Sequence, residues 1–270
     1  MREGGANAAR TVIVVPCWNE ERRLPVASFP GFLSAEPDVG FVFVDDGSTD
    51  GTREQLRALE KAAPERVRVL GLDQNGGKAE AVRRGVLEAL SGEPRFVGYW
   101  DADLATPLDA IPEFRRVLET HSECEIVIAA RVHLLGRRIQ RSALRHYLGR
   151  FSATWIALAL DLRVYDTQCG AKLFRNGPHL PELFREPFLS TWLFDVEILA
   201  RRIAQGRASG RPPARDVIYE YPILEWTDVS GSKLRPFAYL RAALDLLRIR
   251  HRYLRGVWPP LRSRGRTEAP

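Results

Sequence analysis

The chain has 270 residues, a formal net charge of +6 and three cysteines. This length suits one large α/β domain with a sizeable core. Three widely spaced cysteines, in a chain without an apolar signal segment at its start, argue against a disulfide framework and are typical of a reduced, cytoplasmic protein. The longest apolar stretch, at residues 151–162, is interrupted and falls short of the ~18 residues needed to cross a bilayer, so we expect no transmembrane segment.

Arginine is distributed unevenly. It dominates residues 131–150 and 235–266, where acidic residues are nearly absent. Such stretches indicate an anionic partner, a phosphate or an anionic membrane surface. Zinc-ligand spacing, a helix-turn-helix signal and a basic-aromatic RNA motif are all missing from the sequence, so we expect no nucleic acid partner. A protein of this kind would associate peripherally with the inner face of a membrane.

The first half of the chain alternates strands and helices. Residues 1–10 are rich in Gly and Ala and are predicted to be disordered. Strict alternation with near-continuously apolar strands predicts a doubly wound, mainly parallel sheet with helices on both faces, an α/β fold. The predicted strands are 11–15, 41–44, 66–70, 96–100 and 125–130, and the predicted helices are 19–33, 51–63, 79–90 and 108–120.

The second half has a different pattern. We predict one or two Arg-rich helices in 136–162, a strand at 171–174, a helix at 193–203, a strand at 217–223, a last helix at 236–254 and a disordered tail from 259. The last helix is amphipathic and basic, and two interpretations stay open: its apolar seam packs on the sheet, or the helix lies on an anionic membrane. The seam is Phe237, Leu240, Leu244, Leu247 and Leu254, beside Arg241, Arg248, Arg252 and Arg255.

Two carboxylates, Asp101 and Asp103, follow the buried strand at 96–100. Side chains two residues apart on a strand project to the same side, and ligands of open α/β sheets bind at the carboxyl ends of the strands. Two hard oxygen donors there suit Mg²⁺ or Mn²⁺ shared with a substrate's phosphates. A solvated turn is the alternative for an isolated Asp-x-Asp pair.

Several segments together resemble a known family. PCWNE (16–20), VDDGSTD (44–50), NGGK (75–78) and DAD (101–103) resemble the nucleotide-sugar half of family 2 inverting glycosyltransferases of the GT-A fold. DTQCGAKLF (166–174), WLFDVE (192–197), EWTDVSGSKL (225–234) and DLLRIRHRYL (245–254) are most similar to the polyprenyl-phosphate branch, above all its dolichyl-phosphate glucosyltransferases. The resemblance implies one GT-A domain over 11–258, with a nucleotide-sugar half at 11–131 and an acceptor half at 132–258.

The sequence departs from that family at two places. Eukaryotic glucosyl relatives carry an N-terminal membrane helix that this sequence does not show. The mannosyl and many bacterial relatives have Gln two residues after the second aspartate, as a further metal contact, whereas this chain has Ala105. The metal would therefore have fewer protein ligands.

The resemblance implies roles on the donor side. One of Asp45 and Asp46 would accept hydrogen bonds from the nucleobase and ribose, since a carboxylate suits a uracil imide N–H, while the other shapes the turn. Lys78 would contact the diphosphate at a Gly-rich helix start. Asp101 would contact the ribose and Asp103 the metal, as the two members of the metal site. The base and ribose pocket would be lined by Pro16, Asn19 and Glu20, although Glu20 could equally be a charge in the first turn of a helix.

The acceptor side follows from the chemistry of a lipid phosphate. Its second pKa lies near ~6, so it needs no general base, but cations must hold it in line with the anomeric carbon. Arg131, Lys172 and Lys233 are the candidates, although both lysines could be ordinary surface residues. Hexose or acceptor contacts would come from Asp166, Gln168, Trp192, Asp195 and Glu197. The alternative for Asp195 and Glu197 is that they are charges at the N-terminus of a helix. A further alternative for Asp195 is the role of a general base.

The predicted function is metal-dependent, inverting transfer of glucose from UDP-glucose to a polyprenyl phosphate. Alternatives within the class are mannose from GDP-mannose, N-acetylglucosamine, or a soluble acceptor. The alternative from another class is a non-catalytic module that binds nucleotide sugars at the membrane.

Overall fold

The computed structural model describes residues 10–132, 135–140, 143–227 and 236–255. Apart from Arg10, the two predicted disordered ends lie outside these residues, and so does Lys233.

A seven-stranded sheet forms the centre of the protein, in the order β3-β2-β1-β4-β7-β5-β8. Strands β1 to β4 run parallel, and β5 is parallel to β8. The doubly wound, mainly parallel sheet is thereby confirmed. The strands of this sheet are β1 Thr11–Cys17, β2 Val39–Asp45, β3 Val67–Gly71, β4 Phe96–Trp100, β5 Ile126–Ala130, β7 Ala171–Arg175 and β8 Ile218–Pro222. Two short strands, β6 Arg138–Gln140 and β9 Glu225–Thr227, form a separate pair.

Helices cover both faces of the sheet because the strands are apolar on both sides. Along β1, Val14 belongs to one apolar cluster with helix α3, whereas Ile13 and Val15 belong to another with α1 and α4. This alternation is the two-residue period of a strand buried on both faces. The helices are α1 Ser28–Ala35, α2 Thr52–Ala62, α3 Lys78–Leu90, α4 Ala110–Thr120, α5 Ala143–Leu160, α6 Leu180–Arg185, α7 Phe194–Ala208, α8 Ala214–Val217 and α9 Pro236–Tyr253.

Strand β7 is the antiparallel member of the sheet, and it lies between β4 and β5. A Cβ atom at Gly98 would lie 2.4 Å from the carbonyl oxygen of Lys172, so only glycine permits this close approach of β4 and β7. Since β7 comes from the second half of the chain, the two predicted halves share one sheet.

Two of the sequence predictions are wrong in detail. The helix predicted from residue 19 begins only at Ser28, because Asn19 has φ +53°, outside the helical region, and Pro25 disfavours helical backbone before it. Part of the region predicted as Arg-rich helix is instead β6, which pairs with β9.

Helix α9 exposes most of its apolar seam. Leu240, Leu244 and Leu247 are 63%, 49% and 62% exposed, whereas Asp245 and Ile249 are buried. The packing interpretation is therefore wrong for these three leucines, whereas Leu254 of the same seam is buried in the core and the side chain of Phe237 lies outside the described part of the chain. Among the described helices, none has the length and apolar character needed to cross a membrane.

Candidate active site

A cleft of about 550 Å³ opens at the carboxyl ends of β1, β2 and β4. Parallel strands end at a common edge, which brings loops that are distant in sequence together there. The predicted site residues that line it are Pro16, Glu20, Asp46, Lys78, Asp101 and Asp103, together with Cys17, Trp18, Arg23, Asn75, Gly77, Ala81 and Ala102.

Four carboxylates line this cleft, those of Glu20, Asp46, Asp101 and Asp103. Burial, together with the charge of Asp101, raises the pKa of Asp103. Burial also raises the pKa of Glu20, and the charges of both aspartates add to it, although the ion pair with Arg23 acts in the opposite direction. The cleft thus concentrates negative charge that the protein neutralises only in part.

Lys78 supplies the opposing charge on the cleft floor. It begins α3 directly after Gly77, whose φ of +85° is readily available only to glycine, and it forms an ion pair with Asp101. Burial would lower the pKa of Lys78, but the carboxylates of Asp101 and Asp195 outweigh it, so the pKa is raised. A cation at the start of a 13-residue helix favours an anionic ligand.

The two adjacent aspartates after β2 have different surroundings. Asp45 is fully buried, where it accepts hydrogen bonds from Arg53 Nε at 2.5 Å and the backbone N–H of Ser48 at 3.0 Å. Asp46 lines the cleft and accepts backbone N–H bonds from Gly76 and Gly77, both at 2.8 Å. Asp45 therefore shapes the turn, and Asp46 is the one placed to meet a ligand.

Asn19 does not line the cleft. Its Oδ1 accepts a hydrogen bond from the backbone N–H of Thr49 at 2.8 Å, and its own N–H donates to Ser48 Oγ at 3.1 Å. These bonds join the loop after β1 to the loop after β2. The role of Asn19 in this structure is to position the cleft wall.

Lys172 is completely buried, so the alternative of an ordinary surface lysine is wrong for it. Its Nζ donates to the carbonyl oxygen of Cys169 at 2.9 Å and forms an ion pair with Asp195. The hydroxyl of Tyr99, on β4, donates to the same Asp195 oxygen. The three side chains tie β4, β7 and α7 together beneath the cleft.

Glu197 lies deeper than Asp195 and has no exposed surface. It accepts hydrogen bonds from Arg201 Nη2 at 2.7 Å, the backbone N–H of Leu189 at 2.7 Å and the hydroxyl of Tyr253 at 3.1 Å. Its burial leaves no surface for the predicted sugar contact, and it is not an exposed helix-terminal charge either. In this structure Glu197 anchors α7 to α9.

Arg131 and Asp166 form a second charged unit. The guanidinium donates to both carboxylate oxygens, from Nε at 2.6 Å and Nη2 at 2.9 Å. Burial would raise the pKa of Asp166, but the Arg131 charge outweighs it and lowers the pKa. The backbone N–H of Gln168 donates to Asp166 at 3.3 Å.

Trp192 is 37% exposed, in the loop before α7.

Three residues of the site were missed by sequence reasoning. Trp18 is 51% exposed at the cleft, Arg23 pairs with Glu20, and Tyr99 holds Asp195. Trp18 lies inside the PCWNE segment, so its exposed position could have been suspected. Arg23 and Tyr99 gave no signal, since one fell in a predicted helix and the other in a predicted strand.

The donor set suits a divalent cation. Within the described ranges there is no cluster of three metal-binding side chains, so Asp101 and Asp103 would hold the ion with two carboxylates. Mg²⁺ and Mn²⁺ accept such a sparse set when phosphate oxygens and water complete the coordination. The pKa of Asp103 is raised first by burial and then by the charge of Asp101, and a bound cation would compensate both effects.

A doubly wound sheet with an Asp-x-Asp pair and a lysine at one cleft is the arrangement that the resemblance of the sequence to GT-A glycosyltransferases implies. The family model "Glycosyl transferase family 2" matches residues 12–178, and the chain belongs to that family. It is 34% identical over 263 residues to the dolichyl-phosphate beta-glucosyltransferase of Dictyostelium discoideum, covering 91% of this chain and 75% of the relative. The human enzyme of that name is 34% identical over 267 residues, with 91% and 76% covered.

A solved structure shows the same fold. Glucosyl-3-phosphoglycerate synthase from Mycobacterium tuberculosis, in complex with Mn²⁺ and UDP-glucose, superposes with a TM-score of 0.61 at 19% identity. The match covers 89% of this chain and 78% of that one. The same synthase with Mg²⁺ and UDP gives a TM-score of 0.59 at 21% identity.

Proposed function

We infer that the protein is a hexosyltransferase that moves glucose from UDP-glucose to a polyprenyl phosphate with inversion, leaving a β-linked lipid-phosphate glucose and UDP. The observation that carries this proposal is the meeting of Asp101, Asp103 and Lys78 in one cleft at the carboxyl edge of the sheet. The names of the relatives support glucose as the sugar and dolichyl phosphate as the class of acceptor.

The donor would lie with its base near Pro16 and Trp18 and its diphosphate near Lys78. Asp46, held by two backbone N–H groups, keeps a carboxylate at the cleft where a uracil imide could donate to it. The start of α3 and the Lys78 ammonium both attract the diphosphate. Glu20 with Arg23 would close the ribose side of the pocket.

Asp101 and Asp103 would hold Mg²⁺ or Mn²⁺. When bound, the cation would neutralise the charge that develops on the departing nucleoside diphosphate. Gly170 is required for this arrangement, since a Cβ atom there would lie 1.9 Å from Asp101 Oδ2. The backbone N–H of Asp101 donates to the Gly170 carbonyl at 3.0 Å and fixes the carboxylate at the strand end.

The acceptor needs orientation and not deprotonation. A phosphate monoester is largely dianionic at neutral pH, so its oxygen is already a nucleophile. Arg131 at the end of β5 would attract this phosphate, oriented by its bidentate pair with Asp166, and Lys233 is proposed for the same role. Asp195, held by Lys172 and Tyr99, would then orient the hexose without acting as a base.

The test is transfer of radiolabel by the purified protein with Mn²⁺ and polyprenyl phosphate. Separate reactions contain UDP-glucose, GDP-mannose or UDP-N-acetylglucosamine, and a parallel set replaces the lipid with 3-phosphoglycerate. We expect label in the organic phase with UDP-glucose alone. Label that stays in the aqueous phase with every donor would reject the lipid acceptor, and transfer to 3-phosphoglycerate would assign a soluble one.

Asp103→Asn tests the catalytic role against the binding-module alternative. The variant removes a carboxylate from the metal pair and should lose turnover while it remains folded. Asp109→Asn is the matched control, because Asp109 is exposed nine residues after β4 and lies outside the cleft. A variant at position 103 with unchanged turnover would reject the proposed metal site.

A further inference from the structure

Helix α9 presents a surface that the transfer chemistry does not use. We call it the Leu–Arg face. All of its members are exposed, whereas Ile249, on the opposite side of the helix, is buried. Asp245, the only acidic residue in the sequence of α9, is also buried and forms an ion pair with Arg248, so the exposed side keeps a net positive charge. The Leu–Arg face consists of Leu240, Leu244, Leu247, Arg241, Arg248, Arg252 and Arg255.

The helical period separates this face into two rows. Leu240, Leu244 and Leu247 recur at the three- and four-residue spacing that aligns side chains on one side of a helix. Arg241 and Arg248 each follow a leucine of this row by one position, Arg252 lies one turn after Arg248, and Arg255 comes just after the end of the helix. A helix that exposes an apolar row next to a basic row has the pattern of helices that lie in the plane of a membrane interface.

The charge of the Leu–Arg face favours one occupant. A second copy of the chain would bring a like-charged surface onto it in a symmetric contact, because on each face the arginines outnumber the single buried carboxylate of Asp245. An anionic lipid surface offers both apolar depth for the leucines and phosphate groups for the arginines. Helix α5 lies beside α9, since Arg250 Nη1 donates to the carbonyl oxygen of Ala159 at 2.6 Å. Helix α5 also exposes Trp155 and Leu158.

The α9 helix is joined directly to the cleft. Ser190 Oγ donates to Asp245 Oδ2 at 2.8 Å and accepts the backbone N–H of Leu193 at 2.9 Å, so the loop before α7 is fixed to α9. The next residue, Thr191, approaches Gly77, where a Cβ atom would lie 3.9 Å from Thr191 Cγ2. A surface in contact with α9 is therefore one loop away from the start of α3 and Lys78.

We propose that the Leu–Arg face docks on an anionic lipid bilayer, with α9 in the interface plane. The proposal deepens the proposed function and rests on it in one respect: a lipid-phosphate acceptor must reach the cleft from a bilayer. Docking through α9 would bring the bilayer surface to the loop that borders the cleft. The lipid could then present its phosphate without leaving the membrane.

The experiment is co-sedimentation of the full chain with vesicles, without donor or acceptor. Phosphatidylcholine vesicles with and without phosphatidylglycerol are compared. We expect binding to the anionic vesicles only, and at least a tenfold loss of partitioning for Leu240→Glu/Leu244→Glu/Leu247→Glu. The control Leu224→Glu changes an equally exposed leucine, 58% exposed, before β9, and should bind like the wild type.

Charge is tested separately. Arg241→Gln/Arg252→Gln should weaken binding to anionic vesicles and reduce its salt dependence, whereas Arg57→Gln on α2, also exposed, should not. Wild-type protein that stays in the supernatant with both vesicle types, or triple-leucine protein that binds as wild type does, would overturn the proposal. A dimer in light scattering that only the leucine variant dissociates would also overturn it, in favour of a second copy.

Failure of docking and failure of the proposed function are distinguishable. The triple-leucine variant should bind UDP with Mn²⁺ as the wild type does, because its substitutions lie outside the cleft. Transfer to detergent-dispersed polyprenyl phosphate without vesicle binding would refute docking alone. Vesicle binding without transfer to any lipid phosphate would refute the acceptor and leave docking standing.

Discussion

At the scale of single residues, Asp103 shows that a side chain suited to binding a ligand can lower the stability of the protein without that ligand. Burial and the neighbouring Asp101 charge raise the pKa of this carboxyl in the folded protein. The folded state then binds a proton more readily than the unfolded state, so stability falls as pH rises from the unfolded to the folded pKa. Above both values the ionised carboxylate destabilises the metal-free fold.

Asp103→Asn should therefore stabilise the metal-free protein at neutral pH. The amide carries no charge, so it avoids both the desolvation and the repulsion from Asp101. The gain should shrink as pH falls and vanish below the unfolded pKa of Asp, ~3.9. Urea denaturation across this pH range measures it, with Asp109→Asn as the control. Equal stabilities of variant and wild type at neutral pH would contradict the prediction.

The sequence predicted the cleft residues better than the residues that support them. Six predicted residues line the cleft, because motif spacing reports loops at strand ends. Lys172 could have been assigned either to a surface or to a clamp, and the structure buries it against Asp195. The two residues are 23 positions apart in the sequence. They meet because the tertiary fold places β7 next to α7, and no local sequence pattern encodes that arrangement.

At the scale of elements, α3 depends on close contact with the sheet. A Cβ atom at Gly85 would lie 2.3 Å from Val14 Cγ1 and 2.7 Å from Val44 Cγ2. Both atoms belong to packed strand side chains, so they have little room to move. The absence of a side chain at this position sets the distance between α3 and the strands that carry the cleft.

Gly85→Ala should destabilise the protein by about 1–3 kcal/mol through overpacking. The control is Gly31→Ala in α1, where a Cβ atom meets nothing within 4 Å. There the substitution should be neutral or stabilise by ~0.5–1 kcal/mol, because alanine restricts the unfolded chain. Both are measured by urea denaturation. The same small gain or absence of change at both positions would show that helix propensity, which favours alanine, outweighs packing on the sheet.

A second element-scale prediction concerns the buried pair that joins β7 to α7. Lys172→Met leaves the Asp195 carboxylate buried with Tyr99 as its remaining donor. Breaking a buried ion pair from one side costs about 3–5 kcal/mol. Lys61→Met, at an exposed position on α2, is the control and should change the free energy of unfolding little. A loss as small as the control's would show that the buried pair of Lys172 and Asp195 contributes little to the free energy of unfolding.

Sequence reasoning at this scale was most accurate where the period was strong. The alternating strands and helices up to β5 were predicted, apart from the start of α1. The antiparallel insertion of β7 was not, because a strand of five residues does not encode its partner or its direction. The β6–β9 pair was missed for the same reason, since each strand has three residues.

At the scale of the whole molecule, the charges of the cleft link ligand binding to pH. The pKa values of Asp103 and Glu20 are both raised, first by burial and then by neighbouring carboxylates. A divalent cation binds the ionised carboxylate, so its binding must release whatever proton is held there. The net charge of +6 lies largely elsewhere, on the arginine-rich second half, and does not remove this local excess of acid.

Affinity for UDP in the presence of Mn²⁺ should therefore rise with pH and level off above the raised pKa values. Its decline on acidification should begin at a higher pH than an ordinary aspartate with a pKa of ~3.9 would give. Calorimetry over a pH series, in two buffers of different ionisation enthalpy, measures both the affinity and the protons released. Asp103→Asn should bind more weakly and release fewer protons, because one titrating ligand is gone. An affinity that does not depend on pH, or that increases on acidification, would show that the cation is not held by these carboxylates.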